Sequence, residues 1–401
     1  MTRKIGVHEA RGFSRLVVDA TLGLTDLVEA MHAAIAGAPL VFGPSTHPAT
    51  QGITGLVYSS IRGMTGLIGG AVDSALEHMA LLLSEPGPSP ERGDLLAVLN
   101  GVLGDYLAAT GNPLTIPMRL RYDGRPLDLT APSLAASIPE PRRSILLLVH
   151  GLCLHDGHWM QQGHDHGARL AADLGYTPVY LHYNTGLHIS TNGRAFAELI
   201  EALLLHWPVP VERVTIIGHS MGGLVTRSAC HYGALAGHAW LRQLHSIVFL
   251  GTPHHGAPLE RIGNWLNGML AISPYTLALT RLGKIRSAGI TDLRYGNLRD
   301  EDWAAEDRFA HRGDERRPAP PPDGVECYAI AAAIGTAAGD PRGQLFGDGL
   351  VPLNSALGRH ANPNLAVRFP ESHQWIGYAM NHLDILHRQE VFAQLRSWLA
   401  A

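Results

Sequence analysis

One stretch limits what this chain can fold into more than any other: the run VTIIGHSMGGLVTRSAC, from Val214 to Cys230. Its apolar, β-branched beginning is typical of a buried strand, and the segment from Met221 onward is typical of a helix. A sharp turn between the two crowds the residues two before and two after Ser220, and Gly218 and Gly222 stand at these positions. The stretch therefore predicts a strand, a tight turn that presents the serine hydroxyl, and a helix.

The pattern Gly-x-Ser-x-Gly is weak evidence by itself, because the chain contains 45 glycines. Its context strengthens it, since strands and helices alternate from about residue 115 onward. The predicted strands are SILLLVHG, TPVYLHYN, VERVTIIG, HSIVFLG, VECYAIAA and LAVRF, and the predicted helices are GARLAADLG, Arg194–His206, Met221–Tyr232 and His382–Leu399. This alternation predicts an α/β fold with a mostly parallel central sheet and helices on both faces. The preceding segment, TIPMRLRYDGRPLDL, predicts a β-hairpin with its turn at Asp123-Gly124.

Residues 1–112 are predicted to form a helical region of their own, before an α/β domain at 113–401. Apolar residues recur every three or four positions in the segments 16–35, 53–79 and 95–107. The second of these segments is rich in glycine, which permits close contact between helices. Three roles fit the region: a helical bundle docked on the main domain, an amphipathic surface that faces lipid or a partner, or a mobile cap.

A long insert, residues 258–322, separates the predicted strands HSIVFLG and VECYAIAA. It begins with helical segments that are apolar on one side, and it ends in a charged, proline-rich stretch. An insert of this length in a compact domain is usually functional. We therefore expect a lid-like element.

Composition narrows the partners and the compartment. The net charge of −4 and the pI near 6.6 give no basic field, which excludes nucleic acid as a partner. The three cysteines form neither a disulfide framework nor a zinc pattern, so we expect a reducing compartment, no metal and no cofactor. The N-terminal residues lack a clean signal peptide, and no apolar run is long enough to span a bilayer. These features predict a cytoplasmic protein, with peripheral membrane contact through the N-terminal helices and the oligomeric state both left open.

A serine presented in such a turn is a nucleophile only if a base removes its proton, and acyl chemistry at that serine needs donors for an oxyanion. The turn itself supplies one donor, the backbone N–H of Met221. The strand SILLLVHG supplies the other, because Gly151 lets the backbone turn closely and the N–H of Leu152 then points to the developing oxyanion. His150 is expected to be structural rather than a base.

An acid and a base follow the serine in the order that this kind of site requires, Ser, then Asp or Glu, then His. Asp348 lies in the glycine-flanked turn FGDGLVP, and His382 begins the last predicted helix. One predicted strand, Leu365–Phe369, separates them, so both can reach the same edge of the sheet. Asp348 would hold the His382 ring in the tautomer that accepts the Ser220 proton.

Alternatives remain open, because the chain has 23 histidines and residue type alone selects no base. The rival acids are Asp340 and Asp384. The rival bases are His373 and His387.

The segments VHGL, GHSMGGLV, GTPHHGAP, DGLVP and NHLDIL together resemble the bacterial lipase/esterase branch of the α/β-hydrolase superfamily, over roughly residues 115–401. The resemblance implies an α/β-hydrolase fold. It also implies site roles, namely a triad of Ser220, Asp348 and His382 and oxyanion donors in Leu152 and Met221. The GTPHHG segment, with His254 and His255, is similar to a stretch that packs beside the site in this family, and we expect it to be structural.

In some lipases of this kind, the aspartate two residues after the catalytic histidine binds calcium, and Asp384 matches that position. A convincing second acidic ligand is missing, because Glu326 is predicted to lie within a strand. A carboxylate at a helix N-terminus is the plainer interpretation of Asp384.

These features together predict an enzyme that cleaves carboxylic esters through an acyl-enzyme. The apolar side of the insert favours hydrophobic or lipid-like esters. Acyl transfer, thioester hydrolysis and polyester cleavage would use the same groups. A protein that binds a membrane or a partner through a vestigial hydrolase core is the alternative from another class, and the presence of all three triad residues argues against it.

Overall fold

The structure, a computed structural model, describes residues 90–258, 261–262, 287–303 and 314–400. Most of the predicted N-terminal helical region lies outside these residues, and so does most of the predicted helical beginning of the insert. The last of the three apolar N-terminal segments lies within them. It forms the helix α1, Pro90–Ala109.

One sheet of eight strands runs through the described residues. The strands are β1 (Arg119–Tyr122), β2 (Arg125–Pro126), β3 (Ser144–Val149), β4 (Thr177–His182), β5 (Arg213–His219), β6 (Leu244–Leu250), β7 (Glu326–Ala333) and β8 (Gln374–Tyr378). Their order is β2-β1-β4-β3-β5-β6-β7-β8. Strands β3 to β8 pair in parallel, and β1 pairs antiparallel with β2 and β4. The prediction of a mostly parallel sheet is confirmed.

The predicted hairpin joins β1 to β2. Asp123 and Gly124 form its turn with φ of 47° and 68°. Two-residue hairpin turns of this kind need a positive φ at both positions, which Asp-Gly accommodates.

The sheet carries helices on both faces. In the described residues these are α1, α2 (Ala131–Ser137), α3 (His166–Leu174), α4 (Ile189–Leu205), α5 (Met221–Ala236), α6 (Ala288–Asp292), α7 (Pro341–Phe346), α8 (Leu353–Ala356) and α9 (Gln389–Leu399). Successive side chains of β3 point to opposite faces. Ile145 and Leu147 join a core shared with α1, α4 and α5, whereas Leu146 and Leu148 join a second core shared with α3 and α9.

Helix α1 packs into the same core as the sheet. Leu95, Leu99 and Leu107 are almost completely buried, and they belong to one cluster with the strands β3 and β5. The boundary expected between residues 112 and 113 remains a prediction, but α1 shares its buried surface with the α/β domain.

The predicted strand Leu365–Phe369 is wrong. These residues are irregular, and the last strand is β8, which begins five residues later. Val367 and Phe369 alternate with polar neighbours because their side chains join the main core, where the Phe369 ring packs on Phe249 and His254. The Val367 N–H donates to the Gly358 carbonyl rather than to a neighbouring strand. Strand β8 lies at the sheet edge and is only partly buried, which weakens its apolar pattern.

The last helix is also shorter than predicted. It begins at Gln389 rather than His382, after a 3₁₀ turn at Asp384–Leu386. Asn381 Oδ1 accepts the N–H groups of Leu383 and Asp384, which closes a local turn in place of a helical one. Helix α4 is longer than predicted at its N-terminus, since it begins at Ile189, five residues before the predicted Arg194.

No helix among the described residues combines the length and the apolar character needed to cross a bilayer.

Candidate active site

Ser220 occupies the turn between β5 and α5, as the sequence predicts. Its φ of 54° and ψ of −124° lie in a region that residues with side chains rarely adopt. Two backbone hydrogen bonds hold this conformation: the Ser220 N–H donates to Leu250 at the end of β6 (2.8 Å), and the Gly223 N–H donates to Ser220 (3.1 Å). Such strain persists only where the surroundings fix it, and it is common at functional sites.

The glycines around Ser220 fill positions where a side chain has no room. A Cβ atom on Gly222 would lie 2.7 Å from the carbonyl oxygen of His150 and closer still to that of Val149. A Cβ atom on Gly218 would lie 2.6 Å from the Cα of Gly223. The elbow therefore packs directly on the end of β3, which brings the serine next to the loop that follows that strand.

Asp348 and His382 form a buried hydrogen-bonded pair. His382 Nδ1 donates to Asp348 Oδ2 at 2.6 Å. The other carboxylate oxygen, Oδ1, accepts the N–H groups of Leu350 (2.9 Å) and Val351 (2.7 Å). The His382 N–H also donates to the Asp348 carbonyl, at 3.2 Å. Because the carboxylate can only accept, the proton of the neutral ring lies on Nδ1 and Nε2 is left as the free base.

The end of β6 brings the serine and the histidine together. Leu250 accepts the Ser220 N–H, and a Cβ atom on the next residue, Gly251, would lie 3.3 Å from Cε1 of His382. The His382 Nε2 atom is buried, and it has no hydrogen-bond partner within the described residues. Catalytic hydrogen bonds of this kind are often long in the unliganded state and tighten when a substrate binds.

His219, directly before the serine, supports the His382 backbone. Its Nε2 donates to the His382 carbonyl at 3.2 Å, and the two ring centroids lie 4.8 Å apart. Burial, and secondarily the charge of His382, lowers the pKa of His219 well below its usual value. His219 therefore stays neutral when His382 is protonated. It was not predicted from the sequence, although its place beside the elbow serine was an available signal.

The two expected oxyanion donors flank the serine. A Cβ atom on Gly151 would lie 2.9 Å from the Cβ of Ser220, so the loop after β3 passes directly over the elbow. Within the described part of the chain, the N–H groups of Leu152 and Met221 donate to no protein acceptor. Two unpaired amides beside a buried serine suit a negatively charged oxygen.

A narrow apolar cavity of about 10 Å³ opens beside Ser220, which is about enough for one water molecule. Its lining consists of Leu152, Pro253, Ala257, Ile262, Leu293, Leu350 and Val351. An acyl chain in this position would contact only apolar side chains, and its entry would require the lining to move.

His150 has a structural environment, in agreement with the sequence interpretation. Burial lowers its pKa to about 3. The ring stacks on Tyr183 with 4.5 Å between centroids, and the Tyr183 hydroxyl donates to the His150 carbonyl at 2.7 Å. A ring whose pKa lies this far below neutral pH is too weak a base to take a serine proton efficiently.

The GTPHHG segment is fixed by two arginines. Arg227 donates to His254 Nδ1 at 3.3 Å, and Arg316 donates to the His254 carbonyl at 3.0 Å. The His255 N–H donates to Ser355 Oγ, also at 3.0 Å. These contacts agree with the expected structural role of the segment.

The rival acids are engaged in local structure. Asp340 caps α7 and pairs with Arg342. Asp384 Oδ2 accepts the Asn381 N–H at 2.9 Å, which fits a capping carboxylate. Glu326, the other residue considered for calcium, lies 3.6 Å from His373.

The rival bases also have other contacts. His373 Nδ1 hydrogen-bonds to the Cys327 carbonyl at 3.1 Å. His387 Nε2 faces Asp384 at 3.9 Å. Of the three candidate bases, His382 is the one that lies against Gly251, the residue after Leu250, whose carbonyl accepts the Ser220 N–H.

Acid should destabilise the fold through buried neutral histidines. Burial lowers the pKa of His150 and that of His166 to about 3, against about 6.5 when exposed. Below pH 6.5 the unfolded chain therefore binds protons that the folded chain does not. The free energy of unfolding is fully retained above pH 6.5 and should fall by about 1.4 kcal/mol per pH unit for each such histidine as the pH drops towards 3.

Urea unfolding between pH 7.5 and 5.0 measures this slope. The variant His166→Gln should reduce this pH slope by the contribution of about one proton, because glutamine does not titrate. Its amide can still donate to the Ile385 carbonyl, which His166 contacts at 2.9 Å, so the fold should be kept. A free energy of unfolding that is flat from pH 6.5 to 5.0 would contradict the prediction.

A mostly parallel sheet covered by helices on both faces, with a serine in the strand-to-helix turn after β5, is an α/β-hydrolase fold. The family model described as "PGAP1-like alpha/beta domain" matches residues 194–317. No curated protein matches the chain significantly. The resemblance expected from the sequence motifs is confirmed for the α/β-hydrolase fold.

Among solved structures, the chain is similar to the mature lipase BlEst2 of Bacillus licheniformis, with 17% identity and a TM-score of 0.43 over 71% of this chain and 98% of that one. It is similar to lipase B of Aspergillus fumigatus, with 10% identity and a TM-score of 0.39 over 64% of this chain and 52% of that one. It is also similar to a lipase-esterase related protein from Clostridium acetobutylicum, with 11% identity and a TM-score of 0.35 over 70% of this chain and 98% of that one.

Proposed function

We propose that this protein is a serine hydrolase that cleaves carboxylic esters with hydrophobic acyl or alkyl groups. The observation that carries the proposal is the buried Asp348–His382 pair, whose 2.6 Å hydrogen bond leaves Nε2 as a free base at the end of β6, where Ser220 is also anchored. A protein that only binds a partner has no need of a buried acid–base pair in this position.

The reaction proceeds in two halves. His382 Nε2 takes the Ser220 proton as Oγ attacks the ester carbonyl, and the Leu152 and Met221 N–H groups donate to the resulting oxyanion. Collapse expels the alcohol, which receives the proton from His382, and leaves an acyl-enzyme. Water then attacks the acyl carbonyl as His382 takes its proton. The C–O bond to Ser220 breaks, the acid is released, and His382 returns the proton to Ser220 Oγ.

Asp348 orients the ring in both halves. It accepts from Nδ1, and so stabilises the imidazolium that forms when Nε2 is protonated. The two backbone N–H groups on its other oxygen keep the carboxylate fixed while the charge develops.

The cavity lining supports hydrophobic substrates. Two residues of the insert, Ile262 and Leu293, line the space beside Ser220. We therefore assign the insert a part in shaping the acyl pocket. Acyl transfer, thioester hydrolysis and polyester cleavage share the same groups, and the acceptor and leaving group distinguish them experimentally.

Hydrolysis of p-nitrophenyl esters from acetyl to decanoyl tests the proposal. We expect kcat/KM to rise by up to about fourfold for each CH2 that the pocket buries. Fluorophosphonate should label the Ser220 peptide in the wild type, as mass spectrometry would show. Equal kcat/KM for acetyl and decanoyl esters would rule out the apolar acyl pocket. A wild-type protein that neither hydrolyses these esters nor reacts with fluorophosphonate would rule out the proposed enzymatic function.

A further inference from the structure

The loop that carries the Leu152 amide is held from outside by helix α1. A Cβ atom on Gly101 of α1 would overlap the Cys153 sulfur and lie 3.1 Å from the Cys153 Cα. Cys153 follows Leu152 directly and has a φ of 58°. The helix backbone therefore presses on a loop residue in an unusual conformation, one position from the proposed oxyanion donor.

A second contact joins the two elements about two helix turns nearer the N-terminus of α1. Asp94 Oδ1 lies 3.0 Å from Nε2 of His155 and 3.4 Å from Nε2 of His158. Both histidines belong to the same loop after β3. The hydrogen bond from His155 lowers the pKa of Asp94, which keeps the carboxylate charged.

Backbone amides fix the tautomers of the two histidines. The Gly157 N–H donates to His155 Nδ1 at 3.0 Å, and the His155 N–H donates to His158 Nδ1 at 3.2 Å. With both Nδ1 atoms accepting, the ring protons lie on Nε2 and point to Asp94. Asp94, His155 and His158 thus form a clasp between the helix and the loop, in which Asp94 hydrogen-bonds to His155 and lies close to His158.

The clasp residues also offer three ligand atoms within 4.8 Å of one another, as a metal site would. A metal on Nε2 requires a proton on Nδ1, which then donates to an acceptor. Here both Nδ1 atoms face backbone N–H groups. With a metal on Nε2, the Nδ1–H of each histidine would therefore point at a backbone N–H, and both hydrogen bonds would be lost. The geometry favours the clasp.

The opposite side of the loop is held by the segment after β4. The Cys153 N–H donates to Thr185 Oγ1 at 3.2 Å. Asn184, next to it, donates through Nδ2 to the Gly104 carbonyl of α1 at 2.9 Å. The loop is therefore fixed between α1 and this segment.

We propose that α1 positions the Leu152 amide for catalysis, with Gly101 and Asp94 as positioning residues. The inference rests on the proposed ester hydrolysis. The inference makes α1 a functional part of the catalytic domain, independently of the role of the residues that precede α1. An oxyanion donor acts only if it points at the developing charge, and loss of one such donor costs about 10² to 10³ in kcat.

Gly101→Ala in the full-length chain tests the contact with Cys153. Alanine is favoured over glycine inside helices, so any loss of activity must come from the contact rather than from the helix. We expect kcat per labelled active site to fall on the order of 10- to 100-fold, with KM within about twofold of wild type, because the effect falls on the transition state.

Cys153→Gly should rescue this defect. Glycine tolerates the positive φ and removes the sulfur that the new methyl group would strike. The double variant should regain kcat to within about threefold of Cys153→Gly alone. A merely destabilising Gly101→Ala substitution would instead lower the fraction of labelled protein and leave kcat per labelled site unchanged.

Asp94 is tested by a matched set of variants. Asp94→Ala should lower kcat by about three- to tenfold. Asp94→Asn keeps an acceptor oxygen and should stay within about twofold of wild type. The control is Asp173→Ala, which removes the Arg396 ion pair on the far face of the sheet (2.9 Å) and should leave kcat unchanged.

The outcomes separate this inference from the proposed function. If the wild type hydrolyses esters and Gly101→Ala keeps its full kcat per labelled site, α1 has no positioning role and the inference alone is overturned. If EDTA removes activity and Zn²⁺ restores it, the clasp is a metal site and its assignment is wrong. If the wild type neither hydrolyses esters nor labels, the proposed function falls and the inference falls with it.

Discussion

Alanine at Ser220 or at His382 is expected to lower kcat for ester hydrolysis on the order of 10⁶-fold, and the double variant is expected to be no worse than either single one. The two side chains act as one unit, because the hydroxyl is a poor nucleophile until Nε2 takes its proton. Once either is removed, the other has nothing left to contribute. The remaining rate comes from substrate binding and from the Leu152 and Met221 amides.

Both substitutions should leave the fold intact, but His382→Ala should lower the free energy of unfolding, because the buried Asp348 Oδ2 loses its donor. The Ser220 backbone is held by its bonds to Leu250 and Gly223, which do not involve the side chain. The pair of His382 and Asp348 is buried, but the His382 N–H would still donate to the Asp348 carbonyl in the alanine variant. Thermal melts and circular dichroism serve as the control for folding.

Initial rates per mole of folded protein measure the effect with one ester, such as p-nitrophenyl butyrate. Losses that multiply in the double variant would show that the two residues act independently, which is incompatible with a shared proton transfer. Fluorophosphonate labelling should disappear in Ser220→Ala and slow by a comparable factor in His382→Ala.

The elbow could be predicted from the sequence because its constraints are local. Gly218 and Gly222 are needed at fixed distances from Ser220, and the apolar runs on either side have the lengths of a strand and a helix. Asp348 and His382 followed from chain order and from their turns, since the carboxyl ends of parallel strands meet at one edge.

The errors arose where burial does not follow secondary structure. Val367 and Phe369 are buried in the core without belonging to a strand and so imitate one, whereas the one well-buried residue of β8, at the sheet edge, is Gly377, which has no side chain. Asn381 and Asp384 satisfy each other's backbone groups and so delay the last helix.

The contacts of α1 could not be predicted for a different reason. Periodicity identifies the helix but not the surface it packs on, and Asp94 lies 61 residues before His155 in the chain. With 23 histidines available, nothing in the sequence selects His155 and His158. Such pairings are set by tertiary packing alone.

Asp348→Asn should lower kcat on the order of 10⁴-fold with little change in stability. The present carboxylate accepts at both oxygens: Leu350 and Val351 donate to Oδ1, and His382 donates to Oδ2. Asparagine has only one oxygen. If the asparagine oxygen faces the two backbone N–H groups, both of those hydrogen bonds are kept. If the NH2 group faces them instead, it opposes two N–H donors and both bonds are lost, so the first orientation is preferred.

In the preferred orientation, the asparagine NH2 group faces His382 Nδ1 and forces that nitrogen to accept. The ring proton then moves to Nε2, which can no longer take the proton of Ser220. The fold survives, because the loop at Asp348 keeps its backbone contacts, while the base is lost. Asp348→Ala, the matched variant, should lose the same activity and also destabilise the fold, since it leaves the Leu350 and Val351 amides without an acceptor. Retention of more than about a tenth of wild-type kcat in Asp348→Asn would show that another group orients His382, and Asp384 would be the next residue to replace.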